Sequence, residues 1–198
     1  MKDELRPFVE VKHGDLEQRR IFGFRQDIVR SQRTGKEARV DRLQFPDWVN
    51  VVAFTDDDEL ILVRQWRFGT RAFSVEIPAG ALEHGEDPID GGLRELREET
   101  GYTPVDRDAV VLVGATRPNA AFTDNRCFTV FVPRAQKTHP QALDEMEEVA
   151  VLTLPRAQID DAIRRGAARA IRDDASVQGV AFDNSLVVVA LELWRLRR

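Results

Sequence analysis

Three glutamates lie close together in the sequence, at spacings that place their side chains side by side on a helix. Glu95 precedes Glu98 by three residues and Glu99 by four, and both spacings put side chains on the same helical face. Crowded carboxylates repel one another, and at least one takes up a proton unless a cation neutralises them. Mg²⁺ takes oxygen ligands, keeps several waters and bridges to phosphates. A divalent metal ion is the simplest way to hold these carboxylates together, and Arg94, four residues before Glu98, is placed to orient that carboxylate.

The segment 87–100 carries the signals of the helix that presents these glutamates. Asp87 is a good N-cap, and Pro88 suits the first helical position. Residues at helical spacing predict a buried stripe, formed by Ile89, Leu93, Leu96 and Thr100. Gly91 and Gly92 each cost about 1 kcal/mol against alanine inside a helix. The helix must therefore be held by packing.

Short apolar runs between turn residues predict eight strands and two further helices. The strands are expected at 21–29, 38–45, 49–54, 59–66, 74–77, 109–115, 127–132 and 149–154, and the helices at 155–165 and 184–196. Because strands come before and between the helices without strict alternation, the pattern predicts an α/β (α+β) fold with a mixed sheet between helices. The first two strands predict a small N-terminal antiparallel β-sheet in residues 1–45, ahead of a main domain of residues 46–198.

Charge and composition argue against several classes of function. The 29 Lys and Arg residues against 34 Asp and Glu give a net charge of −5, which does not suit a protein that binds nucleic acid or anionic membranes. An anionic substrate must then be held by local arginines or by a metal. Cys127 is the only cysteine, and its apolar surroundings predict a buried, unreactive thiol. The polar first residues, and the lack of an apolar run of ~18 residues, predict a cytoplasmic protein.

Taken alone, the run 94–99 is more typical of the solvated outer face of a helix than of a metal site. Its surroundings favour the metal site, since the 23 residues from 80 to 102 read Gly80-x5-Glu86-x7-Arg94-Glu95-Leu96-x-Glu98-Glu99-x-Gly101-Tyr102. This segment resembles the signature of the Nudix hydrolases at every fixed position. The resemblance implies an α/β/α sandwich in which Glu95, Glu98 and Glu99 bind Mg²⁺ or Mn²⁺. It also implies a metal ligand from the carbonyl of Ala79 and a loop-supporting role for Glu86.

Segments outside the signature resemble the branch of this family that hydrolyses ADP-ribose and nucleotide sugars. They are Gln65-Trp66-Arg67, then Val75-Glu76-Ile77-Pro78-Ala79-Gly80, and Pro118, which falls 16 residues after Tyr102. The resemblance spans roughly residues 20–196. It implies Mg²⁺-dependent hydrolysis of the pyrophosphate bond of a nucleoside diphosphate-sugar, giving a nucleoside monophosphate and a sugar phosphate. Asn119 stands where many ADP-ribose enzymes have glycine, and this favours a broad range of nucleoside diphosphate-sugars over strict ADP-ribose specificity.

Several residues beyond the signature are candidates for contact with such a substrate. Arg67 can hold a phosphate through a forked contact, and a surface salt bridge is the alternative. Trp48 and Phe45 can stack on a nucleobase, and a place in the core is the alternative. Pro118 and Asn119 are included because of the resemblance.

The resemblance also implies a general base from a loop beyond the signature. The acidic run 143–148 occupies that place. Glu145 is the best match by position and Glu147 the next, while a solvated acidic loop is the alternative. Coenzyme A or dinucleoside polyphosphates are alternative substrates. A non-catalytic ADP-ribose-binding sensor is the alternative from another class, but such proteins usually have a damaged signature.

The N-terminal strands also indicate how the protein assembles. A two-stranded ribbon is marginal alone and leaves open edges. The related pyrophosphatases form dimers in which the N-terminal sheet packs on the partner. The resemblance therefore implies a homodimer.

Overall fold

A computed structural model describes residues 5–166 and 181–197. The chain forms two compact units. The first contains residues 1–46 together with residues 117–126, and the second contains residues 47–116 and 127–198. No helix within the described ranges is long and apolar enough to cross a membrane.

The first unit is a four-stranded antiparallel sheet. Its strands are β1 (Phe8–Lys12), β2 (Glu17–Gln18), β3 (Gly23–Ser31) and β4 (Glu37–Gln44). Strand β3 pairs with β4 along one side and with β1 and β2 along the other. The two predicted strands correspond to β3 and β4. Strands β1 and β2 were not predicted, because all their residues are exposed and no buried face imposes an apolar pattern.

The described residues of the second unit form eight strands and three helices. The strands are β5 (Trp48–Thr55), β6 (Glu59–Arg67), β7 (Ala72–Glu76), β8 (Ala79–Ala81), β9 (Tyr102–Pro104), β10 (Val111–Thr116), β11 (Cys127–Lys137) and β12 (Val149–Pro155). The helices are α1 (Pro88–Thr100), α2 (Ile159–Arg165) and α3 (Ser185–Arg195). Strands β5 and β11 are parallel and the other pairs are antiparallel. The predicted mixed sheet is confirmed.

The central strand β5 is buried on both faces, and this produces the layers. Val52 and Phe54 belong to one core cluster, which includes residues of α2 and α3 such as Leu191. Val51 and Ala53 belong to a second cluster, which includes Leu96 of α1 and residues of β11. Helices therefore cover the sheet on both sides, and the predicted α/β/α sandwich is confirmed.

The two glycines inside α1 allow the helix to approach the sheet closely. A Cβ atom added at Gly91 would lie 2.3 Å from Cδ2 of Leu82. A Cβ added at Gly92 would lie 3.1–3.3 Å from methyl groups of Val49, Val51 and Val130. The helix α1 is therefore packed closely against neighbouring side chains, as its two glycines led us to expect. Its start is also as predicted, since the Asp87 carboxylate accepts the N–H of Ile89 at 2.8 Å.

Two predicted boundaries differ from the structure by more than two residues. Strand β11 continues five residues beyond Val132, because its pairing with β5 shifts register between Val132 and Ala135 and its pairing with β9 begins at Ala135. The helix expected from residue 155 begins later, since Pro155 still belongs to β12 and a 3₁₀ turn, Arg156–Gln158, precedes α2. Proline fits both the end of a strand and the start of a helix, so the sequence leaves this boundary open.

Candidate active site

The carboxylates of α1 lie beside the short strand β8. The Glu95 carboxylate sits against the Cα of Gly80, where an added Cβ would lie 2.0 Å from Oε1 of Glu95. The backbone N–H of Ala79 donates to Oε2 of Glu99 at 3.0 Å. Only glycine permits the first contact without displacing the carboxylate. Strand β8 and α1 together therefore fix the position of two of the three glutamates.

Arg94 joins the loop before α1 to the glutamates on it. Its Nε and Nη2 donate to the two oxygens of Glu86 at 2.9 and 3.0 Å. Its Nη1 donates to Glu95 at 2.8 Å and to Glu98 at 3.2 Å. The hydrogen bonds from Arg94 hold the pKa of Glu86 below its ordinary value. The structure thus brings Arg94 to Glu98, as the spacing indicates, and also to Glu86 and Glu95.

Burial makes the glutamates nearest the sheet hard to ionise. Burial raises the pKa of Glu99 to about 8, and the charges of Glu95 and Glu147 add to the rise against the Ala79 hydrogen bond and the charge of Arg67. The pKa of Glu95 is also raised, mainly by burial. Ionised carboxylates here need a positive partner. A donor set made of carboxylate oxygens suits a hard divalent ion such as Mg²⁺ or Mn²⁺.

The acidic loop before β12 contributes a further charge. Glu147 accepts the N–H of Asp144 on its carboxylate at 3.2 Å, and its own N–H donates to the Asp144 carbonyl at 2.9 Å. Its charge adds to the rise in the pKa of both Glu95 and Glu99. Glu145 is exposed and lies in the turn between Asp144 and Glu147. The charge of Glu147 therefore acts on both Glu95 and Glu99.

Arg67 and Glu76 form a forked ion pair. Nε and Nη2 of Arg67 donate to the two carboxylate oxygens of Glu76 at 2.8 and 2.6 Å. Burial alone would raise the pKa of Glu76, but hydrogen bonds from Arg67, Ser74 and Asn184 and the charge of Arg67 hold it below its ordinary value. Arg67 is 43% exposed and Glu76 only 4%. The guanidinium is therefore fixed on its inner edge and open to solvent on its outer edge.

This ion pair lines a cavity of about 390 Å³. The other lining residues include Trp48, Asn50, Ala79, Gly80 and Asn184. Ala79 and Gly80 are also the residues that touch the carboxylates of α1. The cavity and the carboxylate cluster thus share the wall formed by β8.

Of the other residues proposed from the sequence, Trp48 lines the cavity, whereas Phe45, Pro118 and Asn119 lie in the first unit. Trp48 is half-buried and lines the cavity, whereas Phe45 stacks on Phe22 in the first unit with ring centroids 5.4 Å apart. Pro118 and Asn119 belong to the first unit. Asn119 shapes a turn there, since its side-chain oxygen accepts the N–H of Ala121 at 3.2 Å.

No role was predicted from the sequence for Glu76 or Asn184. The signal for Glu76 was an acidic residue between Val75 and Ile77, since a buried carboxylate requires partners. Asn184 caps α3 by accepting the N–H of Leu186 at 3.0 Å, and its side chain also bonds Glu76. The sequence allows the helix cap at Asn184 to be predicted. It does not allow the hydrogen bond to Glu76 to be predicted, because the two residues are far apart in the sequence.

A second acidic cluster lies in the first unit. Potential ligand atoms of Glu10, His13 and Asp27 lie within 4.8 Å of one another. The fully buried Asp27 already pairs with Arg25 at 3.1 Å and with Arg42 at 3.2 Å. Arg42 also contacts Glu10 at 2.6 Å. Two guanidinium groups neutralise this cluster and repel a cation, so it is an ion-pair network and not a metal site.

Comparison with known proteins agrees with this geometry. The family profile described as the NUDIX domain matches residues 45–173. The chain is 32% identical over 150 residues to the ADP-ribose pyrophosphatase of Bacillus subtilis, covering 75% of this chain and 77% of the relative. The methanol dehydrogenase activator of Bacillus methanolicus shows the same identity and coverage. A crystal structure of an ADP compounds hydrolase superposes with a TM-score of 0.79 at 20% identity, covering 99% of this chain and 96% of the other.

The raised pKa of Glu99 predicts how the stability of the metal-free protein depends on pH. Between the ordinary value of 4.5 and about 8, the folded protein holds a proton that the unfolded chain has lost. The free energy of unfolding should therefore fall as pH rises through this window, by up to about 1.4 kcal/mol per pH unit. Glu99→Gln should flatten this fall. Urea denaturation in EDTA from pH 5 to 8 measures both slopes, and equal slopes in the two proteins would contradict the burial of Glu99.

Proposed function

Because the chain belongs to the Nudix family, we propose that it hydrolyses the pyrophosphate bond of nucleoside diphosphate-sugars such as ADP-ribose. The products are a nucleoside monophosphate and a sugar phosphate. The observation that carries this proposal is the carboxylate pair formed by the partly buried Glu95 and the buried Glu99, which shares the wall of β8 with the cavity lined by Arg67. The names of relatives such as ADP-ribose pyrophosphatase support the choice of substrate.

The residues proposed to hold Mg²⁺ or Mn²⁺ are Glu95, Glu98, Glu99 and the carbonyl of Ala79. When bound, the metal lowers the pKa of the attacking water and neutralises charge on the diphosphate. Arg94 keeps Glu95 and Glu98 in place through its 2.8 and 3.2 Å hydrogen bonds. The carboxylates then need no reorganisation when the substrate arrives.

We assign the general base to Glu147, and Glu145 stays the alternative by position. Water attacks one phosphorus and Glu147 accepts its proton. The bond from that phosphorus to the bridging oxygen breaks, and the second phosphate leaves with the bridging oxygen. The coupling of Glu147 to Glu95 and Glu99 supports this assignment.

The substrate is proposed to enter the cavity beside the glutamates. Two N–H groups of Arg67 are used on Glu76, and its outer edge is left to bind a phosphate oxygen. Trp48 offers a flat surface for a base or sugar. Pro118 and Asn119 are proposed to contact the substrate on the resemblance alone.

The intact set of glutamates favours a catalyst over a sensor. A protein that only binds ADP-ribose has no need for Glu95, Glu98 and Glu99 together, or for an arginine that orients Glu95 and Glu98. Release of phosphate-ester products in the presence of Mg²⁺ distinguishes the two functions. Coenzyme A and dinucleoside polyphosphates are alternatives that belong in the same assay.

A substrate panel with product identification tests the activity, with Glu98→Gln as the variant. We expect ADP-ribose or a nucleotide sugar to exceed nucleoside triphosphates in kcat/KM. Glu98→Gln should lower turnover by at least ~10³-fold, about 4 kcal/mol of barrier, without unfolding the protein. The exposed Glu192→Gln on α3 is the matched control and should keep full activity. If dGTP or ATP has the highest kcat/KM of the substrates tested, the proposed substrate class is wrong. Near-normal turnover by a folded Glu98→Gln protein would contradict the proposed role of Glu98 as a metal ligand.

We further propose a homodimer formed through the N-terminal arm, residues 1–45. This arm exposes several large apolar side chains, namely those of Phe8, Val9, Val11, Leu16 and Ile21. We propose that a second copy of the chain covers them. Deletion of residues 1–45 should damage both assembly and substrate binding.

Light scattering at micromolar concentration tests the dimer. We expect a mass of about twice the 22.5 kDa chain. A fully active protein with the mass of a single chain would rule out the dimer.

A further inference from the structure

The C-terminal end of α1 is capped by the segment that leads into the acidic loop. A helix leaves its last carbonyl groups without partners inside the helix. The N–H of Ala142 donates to the carbonyl of Glu98 at 2.8 Å. Nε2 of Gln141 donates to the carbonyl of Glu99 at 2.6 Å. Two residues of the carboxylate cluster are thus tied through their backbones to positions 141 and 142.

Gln141 makes a second bond from the same nitrogen. Nε2 also donates to the carbonyl of Val149, the first residue of β12, at 3.0 Å. A glutamine amide has two N–H groups on this atom, so each carbonyl receives one. The side chain of Gln141 therefore connects the end of α1 to the start of β12 and closes the loop formed by residues 142–148.

This loop has few other means of being held in place. Residues 144–148 are all exposed, and Leu143 is only half-buried. Segments with few buried contacts open locally at low free-energy cost. Hydrogen bonds at the two ends of the loop must therefore carry much of its order, and Glu147 lies two residues before the end that Gln141 holds.

We propose that Gln141 is a positioning residue, which holds the 142–148 loop against the C-terminal end of α1 and thereby fixes the position of Glu147 on that loop. It acts on hydrolysis through Glu147 and does not touch the substrate. This role rests on the proposed function of the site, in which Glu147 accepts the proton of the attacking water. The side chain suits the task because it combines two donors on one atom with sufficient length.

Amide hydrogen exchange of the metal-free protein, resolved by NMR, tests the closure of the loop without reference to activity. Gln141→Met keeps a similar length and removes both donors. It should speed exchange at the amides of Ala142 and Glu147 by about fivefold or more, as expected for the loss of a hydrogen bond. The exposed Gln136→Met on β11 is the matched control and should leave these rates unchanged. Unchanged rates in Gln141→Met would overturn the proposal.

A double-mutant cycle in kcat tests whether Gln141 acts through Glu147. Gln141→Met should lower kcat by about tenfold with little change in KM, and it should cause no further loss in a Glu147→Gln background, because coupled residues are not additive. An equal loss in both backgrounds would overturn the proposal. If the wild-type protein shows no turnover, the proposed function is wrong, and so is the proposed role of Gln141 in hydrolysis. The amide exchange rates would still decide whether Gln141 holds the loop.

Discussion

Carboxylate groups gathered on one helix face and partly removed from water repel each other, and the structure around α1 is arranged to tolerate that repulsion. Burial raises the pKa of Glu99 to about 8, and the pKa of Glu95 is raised for the same reason. Arg94 supplies one compensating charge, at 2.8 Å from Glu95 and 3.2 Å from Glu98. Glu99 receives a backbone N–H instead. The charge left uncompensated is what a divalent ion would neutralise.

The same constraint explains several features of the backbone. Gly80 leaves room for the Glu95 carboxylate, and Gly92 lets α1 lie close to the valines of the sheet. The C-terminal end of α1 is capped by the segment that carries Gln141 and leads to the acidic loop. The elements near the cluster therefore contribute small residues, backbone donors or charged side chains where the carboxylates require them.

The sequence predicts the parts of the fold that have a clear apolar or capping pattern. Strands β5 and β6 and helix α1 fall where apolar runs, helical spacing and the Asp87 cap place them. Strands β1, β2, β8 and β9 were not predicted, because they are short or exposed and their pairing depends on distant neighbours.

The site is predictable in its local part only. The glutamates and Arg94 follow from helical spacing, which is short-range. The Arg67–Glu76 pair joins two strands, the bond from Asn184 to Glu76 joins residues over a hundred positions apart, and Gln141 acts on α1 from a later loop. Such contacts are set by the packing of the sheet, and a single sequence carries no pattern that pairs them.

The glutamates of α1 are proposed to form a divalent-metal site, and electron paramagnetic resonance of Mn²⁺ measures metal binding by these residues. The wild-type protein should bind Mn²⁺ without substrate, and Mg²⁺ should displace it. Glu99→Gln, which should remain folded, should weaken Mn²⁺ binding by at least about tenfold. Equal affinity for Mn²⁺ in the wild-type protein and in Glu99→Gln would contradict the account.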